Sequence, residues 1–277
     1  ERLVRDWEHI PCAHGEHIGS VSCDSELIEQ YIAHLIASTN CLLKGMRVVV
    51  DGANGAAYNI APRVLSQLGA EVIPIHCAPD GININAGCGS LHTESMRQTV
   101  KDQRADAGLS FDGDADRVIM SDEHGNEIDG DRIMAMNAIH LKQTGRLRGN
   151  VLVATIMSNL GLEEAMKAHG IRLERTKVGD RYVAERMREL DAVLGGEQSG
   201  HIIFLDHIPT GDGMLTALQL LQVVKEKATT LHQLASAVKK YPQMLVNVRV
   251  NRKDGWDQNE AIIGTIREVE EKLGENG

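Results

Sequence analysis

Short apolar runs alternate with helix-period segments from about residue 47 to about residue 240, and this rhythm limits the chain to few architectures. An apolar run at 47–50 enters a turn at 51–55, a helix over 58–68 closed by Gly69, and a strand at 71–75. A polar, glycine-rich loop over 78–92 leads to a helix at 94–103, strands at 107–111 and 117–121, and a helix at 131–142 closed by Gly145. The pattern then repeats: strand 150–155, helix 160–169, strand 171–176, helix 181–190, short strands at 193–194 and 201–205, helices at 213–227 and 231–239. Strands alternating with helices predict an α/β fold of two successive Rossmann-like, mixed or parallel sheets with helices on both faces. Ahead of them lie a tail and a helix over 26–38 capped by Asp24 or Ser25; behind them lie a strand at 245–250 and a helix at 256–273, the start of a third, α+β domain.

The formal net charge of −10 argues against a nucleic-acid partner, because such binding rests on neutralising phosphates. A small anionic ligand is still compatible, since a few local cations outweigh a global field. No apolar run is long enough to span a bilayer, so no membrane partner is expected. The opening Glu1-Arg2-Leu3-Val4-Arg5-Asp6 is not a signal peptide. Cys12, Cys23, Cys41, Cys77 and Cys88 are odd in number and form no Cys-x-x-Cys, which reads as free thiols in a reducing cytoplasm.

The strongest chemical signal is Phe111-Asp112-Gly113-Asp114-Ala115-Asp116-Arg117. Three carboxylates within five residues repel one another, and a divalent cation relieves that conflict. An all-oxygen set suits Mg²⁺ or Ca²⁺ better than zinc. The spacing also mimics an EF-hand loop, with Glu123 at its twelfth position. That loop, however, needs glycine where Arg117 stands, and its flanks are helices rather than strands. A strand ending in Asp-x-Asp is shared with haloacid-dehalogenase-like phosphatases, whose first aspartate is the nucleophile; there Ala115, Asp116 and Arg117 have no role. The bland alternative is a solvated acidic turn.

Three further segments carry chemistry-bearing side chains. Gly195-Gly196-Glu197-Gln198-Ser199-Gly200-His201 sits between short strands, and a carboxylate among glycines can accept from vicinal sugar hydroxyls; a glycine hairpin with incidental polar residues is the alternative. Thr176-Lys177-Val178-Gly179-Asp180-Arg181 lies at a strand-to-helix junction, where a lysine can meet a phosphate, or where Asp180 simply caps a helix. Asp51-Gly52-Ala53-Asn54-Gly55 reads as a structural turn, and Thr210-Gly211-Asp212-Gly213 as a helix cap.

In this order, the Asp112–Arg117, Thr176–Arg181 and Gly196–His201 segments resemble the α-D-phosphohexomutase family, together with 50–56, 79–85 and Cys88-Gly89-Ser90. Gly-Glu-Gln-Ser-Gly-His and Lys-Val-Gly-Asp-Arg-Tyr are closer to the branch acting on glucosamine phosphates than to the glucose or mannose branches. The resemblance implies four domains, which would divide this sequence into a tail of the phosphoserine domain over 1–40, a metal-loop domain over 41–145, a sugar-binding domain over 146–243, and the start of a phosphate-binding domain over 244–277. It implies a phosphoserine mechanism through a sugar 1,6-bisphosphate acting on an amino-sugar phosphate. Asp112, Asp114 and Asp116 would then hold one Mg²⁺, and Arg117 would stabilise the moving phosphoryl group. Glu197, Ser199, Gly179, Asp180 and Arg181 would bind substrate, and Lys177 and His201 are candidates for phosphate contact or proton transfer. The family's Ser-His-Asn-Pro and Arg-x-Ser-Gly-Thr-Glu-Pro motifs do not occur here, so this chain alone is expected to be inactive. A non-catalytic sugar-phosphate or metal-binding module is therefore the alternative of a different class, and the sequence leaves a homodimer open.

Overall fold

The computed structural model describes residues 9, 11–15, 18–20, 25–244, 246, 248–250, 252 and 254–274. The chain divides into two compact units, one through Tyr241 and one over 242–277.

The first unit opens with α1 (Ser25–Ala37), which buries Ile32 and Leu35 one turn apart. The expected cap Asp24 lies outside the described residues. Then come β1 (Arg47–Asp51), α2 (Ala57–Gln67), β2 (Glu71–Ile75), α3 (Glu94–Gln103), β3 (Ala107–Phe111), β4 (Val118–Ser121), β5 (Glu127–Ile128) and α4 (Gly130–Gln143). The first sheet has the order β2-β1-β3-β4-β5. Its β1 pairs in parallel with β2 and β3, and β3–β4 and β4–β5 are antiparallel. The core strands β3 and β4 are buried at every residue, as expected for strands covered on both faces.

The second sheet follows: β6 (Val151–Thr155), α5 (Leu160–Ala168), β7 (Arg172–Thr176), α6 (Asp180–Leu190), β8 (Leu194–Gly196) and β9 (Ile202–Phe204), in the order β7-β6-β8-β9. Here too the edge hairpin β8–β9 is antiparallel while β6 pairs in parallel with β7 and β8. Both sheets are therefore mixed, each a short parallel set with an antiparallel edge.

Two helices join them, and α4 is one, packing on β5 and β8. α7 (Gly213–Glu226) is buried from Gly213 to Val224, and it packs on β4 of the first sheet and β9 of the second. A helix buried all round belongs in a core rather than on a surface, and its polar Gln219 and Gln222 are hydrogen-bonded to Ser38 O and Thr39 Oγ1. Asp212 caps it, accepting from Leu215 N at 2.9 Å and from the Tyr31 hydroxyl at 2.8 Å, as the cap reading of Thr210–Gly213 expects. A single apolar cluster runs from Val48 and Leu109 through Ile133 and Leu218 to Leu152 and Ile202.

Three expectations are corrected. The helix expected over 231–239 ends sooner, as α8 (Leu231–Ala235). Beyond it the chain tightens, with Ala237 N and Val238 N donating to Leu234 O and Ala235 O three residues back, before the Lys239 carbonyl seats against Gly161 of α5. Of the strand expected at 245–250, residues 245 and 247 lie outside the described residues, and 246 and 248–250 belong to no strand. The helix expected from 256 begins as a single 3₁₀ turn, Trp256–Gln258, and becomes α9 (Glu260–Leu273) only after Asn259 caps it through Ala261 N and Ile262 N. That second unit offers an apolar stripe of Ile262, Ile266, Val269 and Leu273.

Candidate active site

The aspartate loop is the six-residue connection between β3 and β4. Its tightness comes from the chain itself: Asp112 Oδ1 accepts from Arg117 N at 3.1 Å, Ala115 N donates to Asp112 O at 3.1 Å, and Ala115 takes a left-handed φ of 62°. This winding turns all three carboxylates inward, with one oxygen from each of Asp112, Asp114 and Asp116 within 4.8 Å of the others. Arg117 Nε stands 3.7 Å from Asp112 and 3.6 Å from Asp116. Burial pushes the Asp112 carboxyl up to about 6, and the neighbouring charges of Asp116 and Asp114 push the same way against the Arg117 amide. Asp116 Oδ1 is buried without a hydrogen bond. Converging hard oxygens, one of them unsatisfied, fit a Mg²⁺-type ion.

The second loop, 197–201, joins β8 to β9. Glu197 Oε1 accepts from Gly179 N at 3.0 Å, tying this loop to the 176–181 junction, and Ser199 Oγ is 3.5 Å from Glu197 Oε2. Gly179, Glu197 and Ser199 are thus brought together. Arg181 pairs instead with Glu185 one turn along α6 at 2.8 Å, Asp180 accepts from Arg181 N, and Lys177 is exposed.

The two loops are stitched to one another. Val118 N donates to Gly200 O at 3.2 Å, Arg117 and His201 form an antiparallel bridge, and His201 Nδ1 lies 3.0 Å from Asp116 Oδ2. Gly200 must be glycine: its φ is 95°, and a Cβ would lie 2.3 Å from the Val118 carbonyl. On the other side, Gly213 N donates to Ala115 O, so the start of α7 holds the aspartate loop from beneath.

One contributor was not singled out in the sequence. Asp131, on the first turn of α4, accepts from Gln198 Nε2 at 3.1 Å and from Asn159 N at 2.7 Å, and Gly130 N donates to Gln198 O at 3.0 Å. Burial pushes its carboxyl up to about 6. The legible signal was Asp129-Gly130-Asp131 at a helix start, a glycine between two acids where only one is needed as a cap.

Comparison with known proteins decides the family. Residues 29–125 match the model of "Phosphoglucomutase/phosphomannomutase, alpha/beta/alpha domain II", and residues 129–241 match domain III of the same family. The chain belongs to the phosphoglucomutase/phosphomannomutase family. It is 52% identical over 268 residues to a phosphoglucosamine mutase of Symbiobacterium thermophilum, covering 97% of this chain and 60% of that protein. It is 51% identical over 278 residues to one of Desulforamulus reducens, covering 100% and 63%. The chain thus spans about three fifths of the curated relatives it matches. Among solved structures, a Burkholderia thailandensis phosphoglucomutase/phosphomannomutase family protein superposes with a TM-score of 0.70 at 26% identity, over 77% of this chain and 47% of that one. Aspergillus fumigatus N-acetylphosphoglucosamine mutase, solved with GlcNAc-6P and magnesium, superposes with a TM-score of 0.67 at 20% identity, over 82% and 56%, a likeness of fold.

Proposed function

We propose that this chain supplies the metal-holding and sugar-binding parts of an enzyme interconverting glucosamine 6-phosphate and glucosamine 1-phosphate. The observation that carries the reading is the stitched pair of loops: an Mg²⁺-type carboxylate set and a sugar-type carboxylate lie on adjoining, hydrogen-bonded turns. The half-identical relatives bearing that activity support the glucosamine branch over glucose or mannose.

Asp112, Asp114 and Asp116 would hold Mg²⁺, which when bound supplies positive charge against a phosphoryl group. Phosphoryl transfer rests on positioning and electrostatics. Arg117, half-exposed beside the aspartates, adds a fixed cation where phosphate charge builds. Glu197, held by Gly179 N, keeps one oxygen for the ligand's hydroxyls, with Ser199 beside it. Asp116 holds His201 through Nδ1; His201 Nε2 is buried without a hydrogen bond. That imidazole is therefore set to fix the loop, and exposed Lys177 is the better candidate for phosphate contact. The sugar 1,6-bisphosphate is the intermediate of this scheme, and the scheme also requires the phosphoserine that Ser-His-Asn-Pro would carry. We take 41–145 and 146–243 as its metal-loop and sugar-loop domains, and the cytoplasm as its setting. Among the described residues no helix is long and apolar enough to cross a membrane.

The test is calorimetric titration of the chain with glucosamine 6-phosphate in Mg²⁺, beside glucose 6-phosphate and mannose 6-phosphate. Selective binding of the amino sugar is expected. Equal or absent binding of all three would remove the branch assignment.

A further inference from the structure

A second group of metal-type donors lies outside the aspartate loop, and its chemistry is different. Asp51 ends β1, His76 follows β2, and Cys88 sits in the loop before α3; one donor atom of each lies within 4.8 Å of the others. Asp51 is fully buried, Cys88 is 1% exposed, and His76 is partly exposed.

Asp51 is oriented as a ligand's carboxylate is. Oδ1 accepts from Ala53 N at 2.9 Å; Oδ2 accepts from Gly89 N at 2.9 Å and from Ser110 Oγ at 3.3 Å. Such partners fix a ligating oxygen and its direction. His76 gives the independent sign. Its Nδ1 lies 3.1 Å from Asp51 Oδ1, yet it is buried and makes no hydrogen bond. The ring therefore directs no hydrogen bond along this short line, although a charged imidazole there would pair with the carboxylate. Leaving a buried polar atom unmade costs about 1–3 kcal/mol. An ion between the pair removes that cost. Donor atoms around a tetrahedral zinc stand about 3.3–3.8 Å apart, from bonds of about 2.0–2.3 Å. The 3.1 Å pair needs almost no change, and the sulfur, within 4.8 Å of the others, needs to close by at most about an ångström.

We propose that Asp51, His76 and Cys88 form a site for a borderline-soft divalent cation of the zinc class, separate from the hard-cation loop at Asp112–Asp116. Thiolate and imidazole select such ions, whereas an all-carboxylate set selects Mg²⁺. Three protein ligands leave a fourth position open. A thiol must lose its proton to ligate, so ion binding strengthens as pH rises. The site also bears on its neighbour. The strand that delivers Asp51 pairs with β3, and the loop that delivers Cys88 continues to Ser90, whose N donates to Phe111 O at the head of the aspartate loop.

The experiment uses Co²⁺ as an optical stand-in for zinc, added to the full chain with Mg²⁺ in excess. One equivalent should bind with a sulfur-to-cobalt charge-transfer absorption and be displaced by Zn²⁺. Cys88→Ser should abolish that absorption, and His76→Ala should weaken binding by at least about 10-fold, the least that losing even an outer partner costs. Asp112→Asn should leave both unchanged. Circular dichroism checks folding; should Cys88→Ser not fold, the partly exposed His76→Ala decides. Absence of the thiolate band, its persistence in folded Cys88→Ser, or unaltered affinity in His76→Ala would overturn the assignment. None of these readouts depends on sugar-phosphate chemistry.

Discussion

His201 Nδ1 lies 3.0 Å from Asp116 Oδ2, so a residue of the second sheet's loop holds a carboxylate of the first sheet's loop. The imidazole is buried and pressed by Gly211, where a Cβ would lie 2.4 Å from its ring. The aspartate loop and the 197–201 loop thus share one side-chain contact and one main-chain bridge.

Asp114 is the exposed member of the carboxylate set, so its removal separates ion binding from folding. Asp114→Ala should weaken Mg²⁺ binding by at least about 10-fold, since even outer-shell losses cost that much. The fold should persist, because relieving like-charge repulsion offsets the lost side chain. Calorimetric Mg²⁺ titration with thermal unfolding checks both; a normal Mg²⁺ affinity would show that these carboxylates are not ligands.

Glu197→Gln keeps a carbonyl oxygen for Gly179 N and removes the charge. Charged acceptors exceed neutral ones by about 1–1.5 kcal/mol. Glucosamine 6-phosphate should therefore bind about tenfold more weakly, with Mg²⁺ affinity unchanged. An unaltered sugar-phosphate isotherm would take Glu197 out of the ligand site.

Gly130→Ala reverses the usual sign of a glycine-to-alanine change in a helix. Alanine is ordinarily favoured by about 1 kcal/mol. Here its Cβ would lie 2.1 Å from Glu197 O and 2.8 Å from Gly200 N, and overpacking costs about 1–3 kcal/mol. The melting temperature should fall on the order of 5 °C. A stabilised variant would show that the 197–200 turn yields.

Asp131 gives a pH signature. Its carboxyl is raised from 3.8 to about 6, first by burial, with the Asp129 charge adding to it, against the hydrogen bonds from Asn159 N and Gln198 Nε2. A raised acid favours folding while protonated. That contribution is complete below the unfolded value and is lost as pH rises through the folded one. Asp131→Asn should therefore gain in melting temperature relative to the parent between about pH 4 and pH 6, then hold level. Asp112 titrates in the same direction and remains in both proteins, so the difference isolates Asp131. A difference that does not vary with pH would place the Asp131 carboxylate outside this account.

The α/β rhythm was legible because period and glycine stops are local, and Asp112–Arg117 was legible because its three charges lie within one turn. What was not legible lies far apart along the chain. Asp131 and Gln198 meet across 67 positions, and Gly89 reaches Asp51 across 38. The turn at Asp51 read as structural because nothing nearby shows that His76 and Cys88 close upon it. β5 has two residues, too few for an alternation to register. The docking of the Lys239 carbonyl on Gly161, just past α8, joins residues 78 positions apart, which no helix propensity contains.

The bridge from Arg117 and Val118 to Gly200 and His201 is made largely by main chain. Spacing between the Asp112–Asp116 carboxylates and that of Glu197 is therefore a property of peptide geometry, indifferent to most side-chain replacement. Exposed Asp114 and Ser199 can be exchanged while the span between the two loops stays put. An inserted or deleted residue between 112 and 118 would do the reverse, keeping every functional group and shifting β4 out of step with Gly200. The seam is therefore open to point change and closed to a change of length.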